Sequence, residues 1–299
     1  MTEVDWSGLF HATGSAADTP RRLAALLGDD PRALVEGCME LWSTLRREGG
    51  AWPATAPTAL LVVDLLDDPR LGPDDPSLRD AMLVYLYGVG VAADVGGRER
   101  EVRARIAGRG PELDAWTADY LAADQDGRSR MWQDEGGTGP GELVIERAAL
   151  ACGDLAPGLL RRVLPYLESE HGRRRALAAA AVGSLALDAS GTGQCPLLVE
   201  RLAGVARAAS GDPYDLATVL LAVGRLGGDT RPWLTDPHLG VRVCAAMAPG
   251  LAGEAAAERE LAVSPRAFVE SFGDMAPPPQ FQSGPYGDLL TARSFRRVG

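Results

Sequence analysis

Trp116, Asp119 and Tyr120 fall at i, i+3 and i+4 of a charged stretch, a spacing that puts all three on one face of a helix, and Trp132, Asp134 and Glu135 follow. Carboxylates beside aromatic rings can bind a cation, or exchange protons when burial raises their pKa. Asp119, Asp134 and Glu135 are therefore the candidate acid/base groups, and Trp116, Tyr120 and Trp132 the candidate ligand-binding rings. Arginines offer sites of the opposite sign. Arg98, Arg100, Arg103, Arg105 and Arg109 are interleaved with Glu99 and Glu101 and read as a self-neutralised surface helix. Arg161-Arg162 and Arg173-Arg174-Arg175 are less neutralised, so Arg173 and Arg174 are the better anion contacts.

Other chemistries lack their residues. All 30 basic positions are arginine, and the chain contains neither lysine nor asparagine. A Walker A loop, a lysine Schiff base and a Ser-Lys dyad are thereby excluded, as is a Cys-His-Asn protease. His11, His171 and His238 show no metal-ligand spacing, and Cys38, Cys152, Cys195 and Cys244 form no C-x-x-C pair, so no metal and no cofactor is expected. The cysteines read as free thiols of a reducing compartment, buried or at helix ends. Ser184 and Ser190 lack a G-x-S-x-G setting, and no sequence feature ties a nucleophile to a histidine. Gly88-Val-Gly90-Val-Ala-Ala93 matches a dinucleotide-binding pattern, but the residues before it have helical spacing and no strand-helix-strand unit surrounds it, so it reads as a frayed helix end.

The elements that must position these residues are helices. Asp-Pro pairs at 30–31, 75–76, 212–213 and 236–237 each precede an amphipathic run, with the Asp as cap and the Pro at the first helical position. Leu34, Val35, Cys38, Leu41, Trp42 and Leu45 make one apolar face after the first pair. Leu78, Ala81, Met82, Tyr85, Leu86 and Val89 make another after the second. Thr19-Pro20, Ala56-Pro57 and Ala156-Pro157 open shorter runs, and only two isoleucines occur in the chain, which disfavours strands. The 45 residues from Asp30 to Asp75 suit a two-helix repeat.

Leu234-Thr-Asp236-Pro-His-Leu-Gly-Val241-Arg242-Val-Cys-Ala245-Ala246 resembles the second helix of a HEAT repeat, and 29–35 and 74–79 are weaker copies. The stretch from Trp6 through Pro57 is similar to a group of actinobacterial HEAT-repeat proteins. The resemblance implies an all-α fold, an α-α superhelix (a HEAT-like solenoid) of paired antiparallel helices in a single domain. It comprises N-terminal repeats over 1–93, a polar and irregular insert over 94–140, C-terminal repeats over 141–272 and a loosely packed Pro-rich tail over 273–299. Insert or tail would fold over the concave face. By the same resemblance, Trp116, Asp119 and Trp132, or Trp233 with Arg242, could line a ligand cleft like that of HEAT-like DNA glycosylases.

Net charge is −11, with 26 acidic and 15 Arg side chains in residues 1–150 and 15 of each in 151–299. Nucleic acid is a poor partner for so acidic a half. No run of eighteen apolar residues and no basic leader is present, so the chain reads as cytoplasmic, without a membrane segment. The leading expectation is a noncatalytic scaffold that holds a protein or peptide in a concave groove. The alternatives are a HEAT-like enzyme of specialised metabolism acting on a small molecule through carboxylates, and an immunity or regulatory protein.

Overall fold

A computed structural model describes residues 4–45, 50–71, 76–134, 139–187, 196–209, 211–282 and 284–297. Among these the chain is all-α, apart from a small antiparallel hairpin of β1 (Phe10–His11) and β2 (Gly14–Ser15). The fourteen helices are α1 (Thr19–Ala24), α2 (Pro31–Ser43), α3 (Thr55–Leu66), α4 (Pro76–Ala92), α5 (Glu99–Ile106), α6 (Gly110–Ala122), α7 (Gln125–Asp134) and α8 (Pro140–Val163). They continue with α9 (Gly172–Leu185), α10 (Pro196–Ala208), α11 (Pro213–Arg225), α12 (Leu239–Ala246), α13 (Ala255–Leu261) and α14 (Pro265–Ser271). Seven short 3-10 turns separate or extend them.

Capping chemistry starts several helices where the sequence marks them. Asp30 accepts from the Arg32 amide at 3.0 Å, and Asp212 accepts from Tyr214 and Asp215 at 2.9 and 3.1 Å, satisfying first-turn donors that have no intrahelical partner. Asp236 instead accepts from His238 in the turn before α12, and Asp75 lies outside the described residues. Ala156-Pro157 does not open a helix. Pro157 sits inside α8, which runs unbroken for 24 residues.

The main core is a file of helices in which α4 packs on α9, α9 on α11 and α11 on α12, with α3 beside α8 and with α3/α4, α8/α9 and α10/α11 as hairpin neighbours. Residues Ala176–Leu185 of α9 and Tyr214–Gly224 of α11 are buried on every side, which an alanine-rich helix between two others permits. Glycine sets how closely these helices approach. A Cβ on Gly90 would stand 2.7 Å from the Ser184 carbonyl carbon, and one on Gly183 2.7 Å from Ala222 Cβ. The glycine pattern at 88–93 is thus helix interior and not a frayed end: α4 continues through Ala92, and its glycines admit Leu45 and Ser184.

Three other expectations are corrected. The insert is not irregular, because α5, α6 and α7 occupy most of it, and Leu113, Trp116, Thr117 and Tyr120 form a buried stripe on α6. The tail is not loose: Phe281 and Phe295 lie 4.8 Å from Phe268, Gln280 Nε2 donates to the Thr218 carbonyl at 2.8 Å, and Arg297 Nη2 donates to that of Leu251 at 2.7 Å. On α2 the inward residues are Gly37, Glu40 and Leu41, whereas Val35 and Trp42 of the expected apolar face are exposed, as is Met39. Gly37 accounts for this rotation, since its missing side chain lets α2 close onto Leu26 and the Arg22 carbonyl. Burial pushes the Cys152 thiol up to about 12 and the Cys244 thiol well above its usual value, so neither is a reactive thiolate.

Candidate binding cleft beside α8

The aromatic residues of the insert do come together, but as a second core. Trp116 stacks on Tyr120 at 5.3 Å between ring centroids, Trp132 meets Trp116 edge-on at 5.1 Å, and Phe10 reaches Tyr120 at 4.3 Å. Leu113, Leu143 and Val144 complete this cluster. Trp116 and Tyr120 are buried in it and present no open ring face for a ligand. Asp119 does not share their face; it is exposed, because the stripe that turns inward runs through 113, 116, 117 and 120. Asp134 ends α7 with its side chain outside the described residues, and Glu135 lies outside them altogether.

The arginine candidates are engaged by the protein itself. Arg173 pairs with buried Asp215 at 2.7 Å and stacks its guanidinium 3.7 Å from the Tyr214 ring centroid. Arg174, buried between helices, faces Asp80 at 3.8 Å. Burial raises the carboxyls of both Asp80 and Asp215, an effect that the neighbouring arginines only partly offset. Arg242 donates to Glu260 at 2.9 Å and to the Asp236 carbonyl at 2.8 Å, holding α12 to α13, while Trp233 packs against the main core.

A cleft does open elsewhere, at the C-terminal ends of α4 and α9. Its volume is about 300 Å³, and Leu150, Ala156 and Leu187 form an apolar lining. Its polar wall is Asp94 after α4, Glu99 and Arg103 on α5, and Asp154 on α8. Arg103 donates to both Glu99 and Asp154 at 2.6 Å, and these two hydrogen bonds raise its pKa further. Arg225, from the end of α11, reaches the Asp94 carboxylate at 3.0 Å and fixes the far rim. Beyond the Arg103–Asp154 pair a shallower depression continues past Ile106, Ala107 and Arg147, so this ion pair crosses a longer groove between α5 and α8.

The electrostatics of this cleft favour a cation. The three carboxylates of Asp94, Glu99 and Asp154 outnumber the two arginines, Arg103 and Arg225, that pair with them, and the ends of α4 and α9 add the negative poles of two helix dipoles. Pro157 adds an acceptor. It has no amide hydrogen to offer the Gly153 carbonyl one turn earlier, and both residues line the cleft. Such a site can bind an ammonium or guanidinium group on a partly apolar floor; a phosphate or carboxylate would be repelled.

Sequence spacing found Glu99 and Arg103 as a neutralised pair but not the cleft they roof. The available signal was Gly153-Asp154 followed by Pro157 within a helical pattern. Sequence spacing also missed a tie between a histidine and a hydroxyl, because His11 meets Glu40 and Ser43 across some thirty residues. Among the described residues no group of three His, Cys, Asp or Glu side chains converges as metal ligands, and no helix is long and apolar enough to cross a membrane. Compared with family models, curated proteins and solved structures, the chain matches none of them.

Proposed function

We propose that the protein is a HEAT-like stack of helical pairs whose cleft beside α8 has a noncatalytic role, binding a partner protein by taking in a basic side chain of that partner. The order of packing, α4 on α9 on α11 on α12, is what successive repeats of an α-solenoid would produce, and supports that architecture. The observation that carries the binding role is the acceptor-rich wall of Asp94, Glu99 and Asp154 over an apolar floor. Its volume lies at the small end for ligand pockets, which suits one side chain better than a dinucleotide or other large cofactor. The excess negative charge of the first half of the chain would steer a basic surface toward the same region.

The test is a titration of the full chain with arginine-containing peptides and with the same peptides carrying neutral citrulline. Binding should require the guanidinium and weaken as salt rises. Glu99→Gln with Asp154→Asn should raise Kd roughly five- to tenfold, a loss of about 1 to 1.4 kcal/mol that suits half-exposed charges. Equal binding of the citrulline peptides would remove the proposal.

A further inference from the structure

The β1–β2 hairpin carries a second arrangement, independent of the cleft. His11 is buried, and its Nε2 lies 3.0 Å from Glu40 Oε1. Glu40 is itself buried and held from two more sides, by the Thr19 hydroxyl and by Arg22 Nη1 at 3.1 Å. The other ring nitrogen, Nδ1, accepts the Thr13 backbone N–H at 3.3 Å. That contact makes Nδ1 the acceptor, so Nε2 carries the proton and donates it to the carboxylate. Two hydroxyls also approach Nδ1. Ser43 Oγ is 3.3 Å away, but its hydrogen is already donated to the Glu40 carbonyl at 2.7 Å. Thr13 Oγ1 is closer, at 3.1 Å, and Thr13 is exposed at the tip of the hairpin.

A cation stands beside the next residue of the hairpin, Gly14. Arg128 of α7 donates through Nε to the Tyr120 carbonyl at 2.9 Å and through Nη2 to that of Leu121 at 3.1 Å. Its Nη1 would lie 2.9 Å from a Cβ built on Gly14, the residue after Thr13. Gly14 has φ +120°, where a side chain would be strained in any case. The hairpin thus brings together an exposed hydroxyl, a ring nitrogen whose one lone pair that hydroxyl shares with the Thr13 amide, a buried carboxylate that orients the ring, and, beside Gly14, a guanidinium.

From this geometry we propose that Thr13 is a nucleophile toward activated carboxylic esters, with His11 as its general base. Thr13 Oγ1 bonds to the carbonyl carbon while its proton passes to His11 Nδ1. Glu40 positions the imidazole and stabilises its charged form, and Arg128, held beside Gly14, adds positive charge at the hairpin for the oxyanion that forms. When the tetrahedral intermediate collapses, the bond to the leaving oxygen breaks, His11 returns the proton to that oxygen, and the acyl group remains on Thr13 as an ester. Water then attacks by the same route and frees the hydroxyl.

The absence of lysine gives a clean test with p-nitrophenyl acetate, because no ε-amino group competes for the acetyl. The full chain should release about one equivalent of nitrophenolate in a burst and carry one acetyl, placed on Thr13 by fragmentation mass spectrometry. Thr13→Ser should keep the burst and Thr13→Val abolish it; the site is exposed, so both variants should melt like the parent. His11→Gln should slow acetylation about 100-fold or more. Glu40→Gln should slow it less, with partial rescue by Glu40→Asp, a pattern that a purely structural role for Glu40 would not give. Acetyl on Ser43 or on His11, or an unchanged burst in Thr13→Val, would overturn the proposal and leave the cluster as a latch holding the hairpin to α2.

Discussion

Pro157 lies four residues beyond Gly153 inside α8, so the amide hydrogen that would close this turn of the helix on the Gly153 carbonyl does not exist, and both residues line the cleft. A mid-helix proline costs about 3 kcal/mol, of which the stiffer unfolded chain returns about 1. Pro157→Ala should therefore stabilise the protein by about 2 kcal/mol and raise its melting temperature. It should also weaken binding of the guanidinium peptide, since the restored amide occupies the acceptor. Thermal unfolding and the peptide titration on one variant check both halves.

The groove between α5 and α8 is bridged by Arg103, which occupies Asp154 in place of a ligand. Arg103→Gln should tighten binding of an arginine peptide roughly two- to fivefold, the range expected for a half-exposed pair worth up to about 1 kcal/mol. The same variant should leave the melting temperature within a degree or two. Weaker binding would mean that Arg103 itself contacts the partner.

Close packing of the central helices makes its glycines unequal. A Cβ on Gly183 or Gly224 would fall within 3.0 Å of the Cα of Ala222 or Ala248, backbone that cannot give way cheaply. Gly183→Ala and Gly224→Ala should each cost about 1 to 3 kcal/mol. Gly158→Ala on α8 meets nothing within 4 Å and should stabilise by up to about 1 kcal/mol. Denaturant midpoints of the three variants give the comparison.

Glu40 predicts the acid limb of stability. Burial alone would push its carboxyl up, but hydrogen bonds from His11 and Thr19 and the charges of His11 and Arg22 outweigh it and hold the pKa below the ordinary value of 4.5. A folded pKa below the unfolded one gives stability that is present above about pH 4.5 and lost as pH falls through the folded value. Glu40→Gln should cost about 1 to 2 kcal/mol at pH 7, because the hydrogen bonds from His11, Thr19 and Arg22 lose their charged acceptor while half-exposed Arg22 stays solvated. Below the folded pKa the variant and the parent should converge; urea unfolding across pH 3 to 7 measures the gap.

By itself, the sequence determined which local elements could form. The caps at Asp30 and Asp212, the inward face of α4 through Met82, Tyr85, Leu86 and Val89, and the near absence of strand follow from hydrogen-bond geometry and a 3.6-residue period acting over a few residues. Trp116 and Tyr120 were readable as neighbours for the same reason, whereas Asp119, one residue from Tyr120, turns out to solvent once the stripe through Leu113 chooses its side. Only tertiary packing decided the rest. Phe10 beside Tyr120, His11 against Glu40, Arg128 under the hairpin tip and Arg225 on Asp94 join residues far apart in the chain, and no spacing rule encodes them. Periodicity tells a helix which face to bury; which other helix receives that face is set by where small residues such as Gly37, Gly90 and Gly183 let two backbones meet, and that depends on the whole chain at once.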